Sequence, residues 1–517
     1  MESKIYSSTR EVQLVAKEEM TLIAVLDEFV MSEQRAGRDV KQNILTFLNH
    51  VKAVRLPHCD NAEFGDNPIT AFHLLKRALL WDEVVSSICC DTCMEISSVT
   101  EFSNSILELH EEGGPPVTLD DVNGTAKAIL RLWKTYDLDI DKLMSGIILD
   151  TKTEPLTSSD IIDISHHAKG FQKIVWLEKL LERYNVSKDE DMLIKSMLAK
   201  EYSEYGMPWK SVEIITPFLY IDDNNIKADY HLYMSRSYRI AVHSKVLEPE
   251  VSSVRDEVYR SLCRGELRTA QEMSLLRCYL RPTRIPYYWS KEEVMYNIPR
   301  LTLFHDVLFD SEIQFIRTAA GKIMERSTVL TKNESAVSEN RVSFTGWLFD
   351  AAKGNERLLK LNRRIGLVTG LDTTFRLQNT SIEQYQIANY GIGGMYAPHY
   401  DNLNIPIWKP STVISSDDCR YSGERIATWM FYISSVKAGG ATVFPKLRAR
   451  VPVVKGSAAF WYNVLPNGDK DERMLHAGCP VLLGSKWVAN KWIRQEGQVL
   501  TKLCGKTREA EFEYDID

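Results

Sequence analysis

His399 and Asp401 stand one residue apart, with Tyr400 between them, and His476 follows far downstream. On an extended strand, side chains two positions apart share a face. The imidazole and the carboxylate can therefore meet one metal ion without any special turn. A second imidazole, from a distant strand, completes a set of two His and one carboxylate, so the fold has to bring separate strands together. Such a set leaves coordination positions open and suits non-haem Fe(2+) and oxygen chemistry. A His-x-Asp pair by itself reads first as a surface or structural pair, and its neighbours have to decide.

One neighbour is Lys486, which opens Lys486-Trp487-Val488-Ala489-Asn490-Lys491-Trp492-Ile493. With a period of two, Lys486, Val488, Asn490 and Trp492 share one face, and Trp487, Ala489, Lys491 and Ile493 the other. A lysine on the inner face of a core strand is costly unless an anion meets it. It reads either as a strand-end residue reaching solvent or as the partner of an anionic cosubstrate beside the metal. Tyr390, upstream of His399, reads as core packing or as a hydroxyl for the same anion.

The segments 382–390, 426–433, 440–444, 457–462 and 486–493 are short, rich in apolar, β-branched or aromatic residues, and punctuated by Gly and Pro. They predict a β-sandwich or barrel, flanked by a helix over 307–324. Phe460-Trp461-Tyr462 reads as ordinary core. The N-terminal half is helical by pattern. Leu22, Val25, Leu26, Phe29 and Val30 recur at helical spacing, and Ile44, Leu45, Leu48 and Val51 continue it. Pro68 opens a further helix and 126–136 forms another. Paired amphipathic helices are predicted over 158–170, 171–184, 191–205 and 209–219, which suggests a tetratricopeptide-like unit without a clean repeat consensus. Periodicity is lost over 240–286, which reads as a connector.

A chain of 517 residues predicts several domains. Apolar content of 44% and charged content of 26% are ordinary for a globular protein. A formal net charge of −7 gives no support for nucleic-acid binding, and no apolar run approaches a membrane span. The segment Met1-Glu2-Ser3-Lys4-Ile5-Tyr6 lacks the pattern of a signal peptide.

The stretch 383–498 resembles the catalytic region of the collagen prolyl 4-hydroxylase α-subunit family. The matching runs are Ala388-Asn389-Tyr390-Gly391, Tyr396-Ala397-Pro398-His399-Tyr400-Asp401, Arg425-Ile426-Ala427-Thr428-Trp429, Ala438-Gly439-Gly440-Ala441-Thr442-Val443-Phe444-Pro445, Ala459-Phe460-Trp461-Tyr462-Asn463, His476-Ala477-Gly478-Cys479-Pro480-Val481-Leu482 and Gly484-Ser485-Lys486-Trp487-Val488-Ala489-Asn490-Lys491-Trp492. The likeness extends more weakly over nearly the whole chain and marks it as a divergent or insect-type paralogue. It implies an α+β multidomain fold. In that fold an all-α N-terminal half carries dimerisation helices and a tetratricopeptide-like peptide-binding domain, and a double-stranded β-helix (jelly-roll) dioxygenase domain follows. The implied divisions are 1–150 for dimerisation, 151–240 for peptide binding, 241–286 as linker with a disulfide loop, 287–507 as the dioxygenase and 508–517 as an acidic tail.

The resemblance further implies a 2-oxoglutarate dioxygenase. His399, Asp401 and His476 would hold Fe(2+), the distal carboxylate of 2-oxoglutarate would rest on Lys486 and Tyr390, and Trp492 would line the cosubstrate pocket. With O2, the reaction would leave succinate and carbon dioxide and place a hydroxyl on proline C4 in X-Pro-Gly-type sequences. L-ascorbate would rescue oxidised iron. Arg341, Ser343 and Trp347 match a flexible segment that covers the peptide in related enzymes, and Tyr396 matches a peptide-contacting position; read without the family, the segment is a solvated loop with one anchoring Trp. Two residues beyond Trp492 the family carries a His where this chain has Arg494, a departure that bears on substrate handling or rate. Tyr202, Tyr205, Trp209, Tyr220, Tyr230 and Tyr233 are candidates for an aromatic groove that takes a polyproline II peptide, with packing as their plainer role.

Both Cys263–Cys278 and Cys479–Cys504 match intrachain disulfides of the family, and nine cysteines in all leave at least one thiol free or paired with another chain. Cys90-Asp91-Thr92-Cys93 lacks the second pair or nearby His that a zinc site needs, and Cys59, Cys89 and Cys419 are unassigned. Asn123, Asn185, Asn333 and Asn379 begin N-x-S/T triplets. The family places such a chain in the endoplasmic reticulum lumen, against the start of the sequence, which at face value says cytosol. It implies protein disulfide isomerase as β-subunit in an α2β2 tetramer, and procollagen or another proline-rich peptide as substrate. The competing readings are a catalytically weak procollagen-binding or assembly subunit and a dioxygenase acting on a different peptidyl residue.

Overall fold

The computed structural model describes residues 4–58, 64–88, 97–112, 116–218, 233–234, 236, 254–266, 270–283, 285–330, 335–375, 381–403, 423–498, 501–507 and 509–512. Cys59, Cys89, Cys90, Cys93, Cys419, Asn333, Asn379, Tyr220 and Tyr230 lie outside these residues. The chain divides into two compact units, residues 15–256 and residues 1–14 together with 257–517.

The first unit is helical: α1 (Thr9–Arg35, most of which lies here), α2 (Gln42–Arg55), α3 (Pro68–Ile88), α4 (Ser97–Glu112), α5 (Leu119–Tyr136), α6 (Ile140–Met144), α7 (Ser158–His166), α8 (Phe171–Arg183), α9 (Lys188–Glu204) and α10 (Pro208–Ile215). A small hairpin of β1 (Ile147–Ile148) and β2 (Thr151–Lys152) follows α6. The apolar stripes do the packing. Ile23, Leu26, Phe29 and Val30 of α1 form one core with Ile44, Leu48 and Val51 of α2, Trp81 and Ile88 of α3 and Val99, Phe102 and Ile106 of α4. Beside that core Glu19 is buried between Arg55 and Arg77 at 2.9 Å from each. The four helices predicted over 158–219 are α7 to α10. A capping box, in which Ser187 N donates to Glu190 Oε2 and Glu190 N to Ser187 Oγ, starts α9. Of the aromatic candidates, Tyr202 is buried, with its hydroxyl donating to Glu178 at 2.5 Å, whereas Trp209 is 60% exposed.

The second unit is built on sheets. Its strands are β3 (Cys278–Pro282), β4 (Trp289–Tyr296), β5 (Leu301–His305), β6 (Glu325–Arg326), β7 (Thr328–Leu330), β8 (Ser335–Val337), β9 (Ser343–Leu348), β10 (Tyr385–Tyr390), β11 (Tyr396–His399), β12 (Arg425–Tyr432), β13 (Ala438–Gly439), β14 (Thr442–Phe444), β15 (Ala449–Val451), β16 (Ala458–Tyr462), β17 (His476–Gly478), β18 (Val481–Leu483) and β19 (Trp487–Arg494). Nine of them form one sheet in the order β3-β4-β5-β16-β12-β19-β10-β9-β6, and four form another in the order β11-β17-β14-β15. All pairings are antiparallel, so side chains alternate between faces. One face of the large sheet, through Trp429, Phe431, Phe460, Trp487, Ala489 and Ile493, packs in one core with the helices Asp310–Ala320 and Glu356–Thr369. The other face, through Leu303, Ala388, Met430, Ala459, Trp461 and Val488, packs against Phe444, Ala449, Val451, Met474 and Val481 from the small-sheet side. The alternation read from 486–493 is thus the alternation between two cores.

Several expectations are corrected here. The connector expected over 240–286 contains the helix Val254–Arg264 and strand β3. The pairs Cys263–Cys278 and Cys479–Cys504 are not made. Cys263, buried on that helix, bonds to Cys479, buried just after β17, while Cys278 and Cys504 are exposed free thiols. The physical reason is packing: the helix lies against β17, with the Tyr259 hydroxyl 3.5 Å from the Gly478 carbonyl, so Cys479 is within reach of Cys263. The segment expected as a flexible peptide cover is β9, fully paired with β10 from Tyr385↔Leu348 to Tyr390↔Ser343. Among the described residues, no helix is long and apolar enough to cross a membrane.

Candidate active site

Pairing of β11 with β17 sets His399 directly opposite His476. Their ring centroids are 4.3 Å apart. Asp401, two residues beyond the end of the strand, reaches both: His399 Nε2 lies 3.7 Å from its Oδ1 and His476 Nε2 lies 3.6 Å from its Oδ2. All three donor atoms lie within 4.8 Å of one another. Each imidazole is oriented from behind, His399 Nδ1 donating to Ala397 O at 2.8 Å and His476 Nδ1 to Met474 O at 3.0 Å. A carbonyl only accepts, so each Nδ1 carries a proton and each Nε2 is turned toward the carboxylate. Burial, with His476 beside it, pushes the His399 imidazole below its ordinary value. Burial works to raise the Asp401 carboxyl, but His476, His399, Arg425 and a hydrogen bond from Thr428 together hold it below its ordinary range.

The cluster opens into a cavity of about 630 Å³ whose wall includes Arg341, Trp347, Tyr390, Tyr396, Lys486 and Trp492. Lys486 is 1% exposed, and among the described residues its ammonium makes no ion pair or hydrogen bond; it lies 4.8 Å from the centroid of the Tyr390 ring. Burial alone pushes it down to about 7. The contrast with Lys491 is sharp. It is equally buried on the opposite face of β19, but it is ion-paired to Asp350. Tyr390 is buried and its hydroxyl pushed up to about 12 by burial. Trp492 and Trp461, also at this wall, carry buried indole N–H groups with no partner among the described residues.

Tyr396 stacks on His399, centroids 3.6 Å apart, and the Arg341 guanidinium lies 4.8 Å from the Tyr396 ring while donating to Gln386 Oε1 at 2.9 Å. Trp347, 44% exposed, sits 5.9 Å from Trp492 at the mouth. Ser343 is not brought to the cavity wall; it is buried and shares a hydrogen bond of 2.8 Å with Ser327. Arg494 is buried and donates to Glu383 at 2.8 Å, and Glu383 is also clasped by Arg425 at 2.6 and 2.7 Å. Arg425 in turn stacks 3.7 Å over Trp492.

Sequence reasoning did not single out Thr428, Asn463 or Arg425. Thr428 Oγ1 donates to Asp401 Oδ2 at 2.7 Å and accepts from Asn463 Nδ2 at 2.9 Å. Its one signal was a polar residue inside the apolar run of β12.

Two imidazoles and a carboxylate, with no fourth donor beside them among the described residues, fit iron(II) with open positions. An unpaired buried ammonium and orphaned indole N–H groups on the same wall fit an oxygen-rich anion. Residues 385–494 match the 2OG-Fe(II) oxygenase superfamily, and residues 8–150 match the prolyl 4-hydroxylase alpha-subunit N-terminal region. Human prolyl 4-hydroxylase subunit alpha-3 is 31% identical, over 98% of this chain and 94% of that protein. Subunit alpha-1 from Gallus gallus is 31% identical, over 86% and 88%. A crystal structure of the viral collagen prolyl hydroxylase from Paramecium Bursaria Chlorella virus-1, as a 2OG complex, aligns at 25% identity over 38% of this chain and 95% of that one, with a TM-score of 0.28. The chain belongs to the prolyl 4-hydroxylase α-subunit family and is an iron(II)- and 2-oxoglutarate-dependent dioxygenase.

Proposed function

We propose that this chain is the catalytic α-subunit of a procollagen-type prolyl 4-hydroxylase, with His399, Asp401 and His476 as the iron ligands and Lys486 and Tyr390 as the seat of the distal carboxylate of 2-oxoglutarate. The observation that carries the reading is the unpaired ammonium of Lys486, buried in the wall of the cavity onto which the three-donor cluster opens. A buried cation without a counter-ion is retained where a ligand supplies the anion.

When bound, iron(II) with 2-oxoglutarate and O2 supplies the oxidation that places one oxygen atom on the substrate and the other in succinate, with loss of carbon dioxide. The protein's share is geometric and electrostatic. The Ala397 and Met474 carbonyls fix both imidazole tautomers, and Thr428 aims the carboxylate. The Lys486 charge and the Tyr390 hydroxyl orient the five-carbon diacid end-on. Trp492, held flat by Arg425, closes one side and limits water. Trp347 and Tyr396, with Arg341 behind, form the mouth that meets the peptide and present proline C4.

The two facing sheets support a jelly-roll reading of 287–507, and the α7–α10 helix pairs support a tetratricopeptide-like peptide-binding domain within 151–240, its exposed Trp209 included. Residues 1–150 are proposed to pair α-subunits. A Cys263–Cys479 disulfide suits an oxidising compartment, which supports the endoplasmic reticulum lumen and a protein disulfide isomerase β-subunit. L-ascorbate is the expected reductant for iron oxidised in uncoupled turnover.

Purified tetramer incubated with iron, labelled 2-oxoglutarate and a Pro-Pro-Gly peptide tests the reading. Succinate release with a new hydroxyl on C4 of the proline before Gly is expected. Absence of succinate above background would make the chain a binding subunit. A hydroxyl mapped elsewhere would make it a different dioxygenase.

A further inference from the structure

The first residues of the chain belong with the catalytic unit, far from it in sequence. Ile5, Tyr6, Ser7, Ser8 and Thr9 are each 2% exposed or less. Their partners lie directly behind the cosubstrate wall. The side-chain amide of Asn389, adjacent to Tyr390, is wholly buried. Its Oδ1 accepts from Ser8 Oγ at 2.7 Å and from the Arg10 backbone N–H at 3.1 Å, which caps the start of α1. Its Nδ2 donates to Thr9 Oγ1 at 3.0 Å, and lies 3.3 Å from both Ser485 Oγ and the Lys486 carbonyl. Thr9 Oγ1 also meets Ser485 Oγ at 2.5 Å. On the other side of Tyr390, the Ile392 N–H donates to the Tyr6 carbonyl at 2.9 Å.

Gly391 supplies an independent observation. A Cβ there would stand 2.2 Å from Tyr6 O and 2.3 Å from the Ser7 carbonyl carbon. These are backbone atoms that cannot swing aside, so a glycine follows Tyr390 because the N-terminal segment passes against it.

We infer that residues 5–9 are a built-in brace of the cosubstrate subsite, with Ser8, Thr9 and Asn389 as positioning residues for Tyr390 and Lys486. The inference rests on the reading of Lys486 and Tyr390 given above. The brace touches no ligand. It grips the residues flanking Tyr390 from one strand and the residue preceding Lys486 from another, and the Tyr390 N–H bond to the Lys486 carbonyl at 3.0 Å ties the two together. Without it, the buried amide of Asn389 would lose its hydroxyl partners, and the two strand ends would lose their common fixed point.

Thr9→Val, which keeps the shape and removes the hydroxyl, and Gly391→Ala, which displaces the segment, test the inference in the intact tetramer. Each is expected to weaken 2-oxoglutarate binding about five- to tenfold, by calorimetry on manganese-loaded protein and as a rise in its KM that far exceeds any fall in kcat. Manganese affinity and peptide KM are expected to stay within about twofold, and Thr9→Ser is expected to restore the wild-type values. Faster amide exchange at Tyr390 and Trp487 should accompany the loss. Unchanged 2-oxoglutarate affinity in both variants, or parallel weakening of metal, peptide and cosubstrate, overturns the inference. Lys486→Ala is measured alongside. If it leaves 2-oxoglutarate affinity intact, the subsite reading itself fails. If it abolishes affinity while Thr9→Val and Gly391→Ala do nothing, only the brace fails.

Discussion

Thr428 holds Asp401 from β12, a strand that supplies no metal-ligand candidate, by a 2.7 Å hydrogen bond to the carboxylate oxygen that faces His476. The bond leaves Asp401 one free orientation toward both Nε2 atoms. Thr428→Val keeps the volume and the β-branch and removes the donor. It is expected to lower iron affinity by about 10- to 100-fold, the usual effect of losing a residue that orients a ligand. Titration of the metal-free protein with manganese or iron reads this directly. Unchanged affinity would reduce Thr428 to a packing residue.

With Lys486 as the proposed seat of the distal carboxylate, cosubstrate binding is expected to depend on pH. Burial holds the free side chain at about 7. Below that pH the dicarboxylate meets an ammonium. Above it, binding has to take up a proton first. Apparent 2-oxoglutarate affinity is therefore expected to fall with rising pH above 7, by up to about tenfold per unit. Calorimetry in buffers of different ionisation enthalpy should show uptake approaching one proton at alkaline pH. Lys486→Arg, charged throughout, should show none. The stability sign follows from the same shift. An unfolded lysine titrates near about 10.4, so between 7 and that value the unfolded chain binds the extra proton, and this group makes the ligand-free protein more stable as pH rises.

Two buried lysines, Lys486 just before β19 and Lys491 within it, separate function from stability. Lys491 is paired with Asp350, which also accepts from Asn362 at 2.6 Å. Lys491→Met leaves Asp350 buried without its cation, and a loss of about 3–5 kcal/mol is expected. Lys486→Met removes a charge with no counter-ion among the described residues, so stability is expected to hold or rise while 2-oxoglutarate binding collapses. Urea denaturation of both variants beside wild type decides. A large stability loss for Lys486→Met would mark that lysine as a structural residue.

What could be read from the sequence is what short-range periodicity controls. The two faces of 486–493 follow from alternation alone, and His399 with Asp401 follows from a spacing of two. The four helices after residue 157 follow from their amphipathic pattern. Other features depend on which distant segments pack together, and local pattern is silent there. The partner of Asn389 is the beginning of the chain. The role of Thr428 comes from the placement of β12 opposite β11 and β17. Ser343 was grouped with a mobile cover because of its motif, but full pairing of β9 with β10 turns its side chain to Ser327. Arg494, where the family carries a His, reads in the sequence as a departure that bears on substrate handling or rate. In the fold it joins Arg425 on Glu383, so its effect on the cavity runs through Arg425 and Trp492.

Cysteine spacing has the same weakness, since connectivity does not follow from sequence. Cys263 and Cys479 are 216 residues apart and bonded, and the bond joins the helix Val254–Arg264 to the end of the strand that begins with His476. Closing so long a loop restrains the unfolded chain strongly, and removing such a native bridge typically costs about 2–5 kcal/mol. Cys479→Ser is expected to fall in that range in urea denaturation. It should also weaken metal binding more than Cys278→Ser or Cys504→Ser, because only Cys479 continues the His476 strand. Peptide mapping without reduction gives the direct check. A linked pair of peptides carrying Cys263 and Cys479 is expected, with Cys278 and Cys504 open to alkylation. Recovery of Cys263 with Cys278, and of Cys479 with Cys504, would instead mean that two short loops, and not one long one, secure this edge of the site.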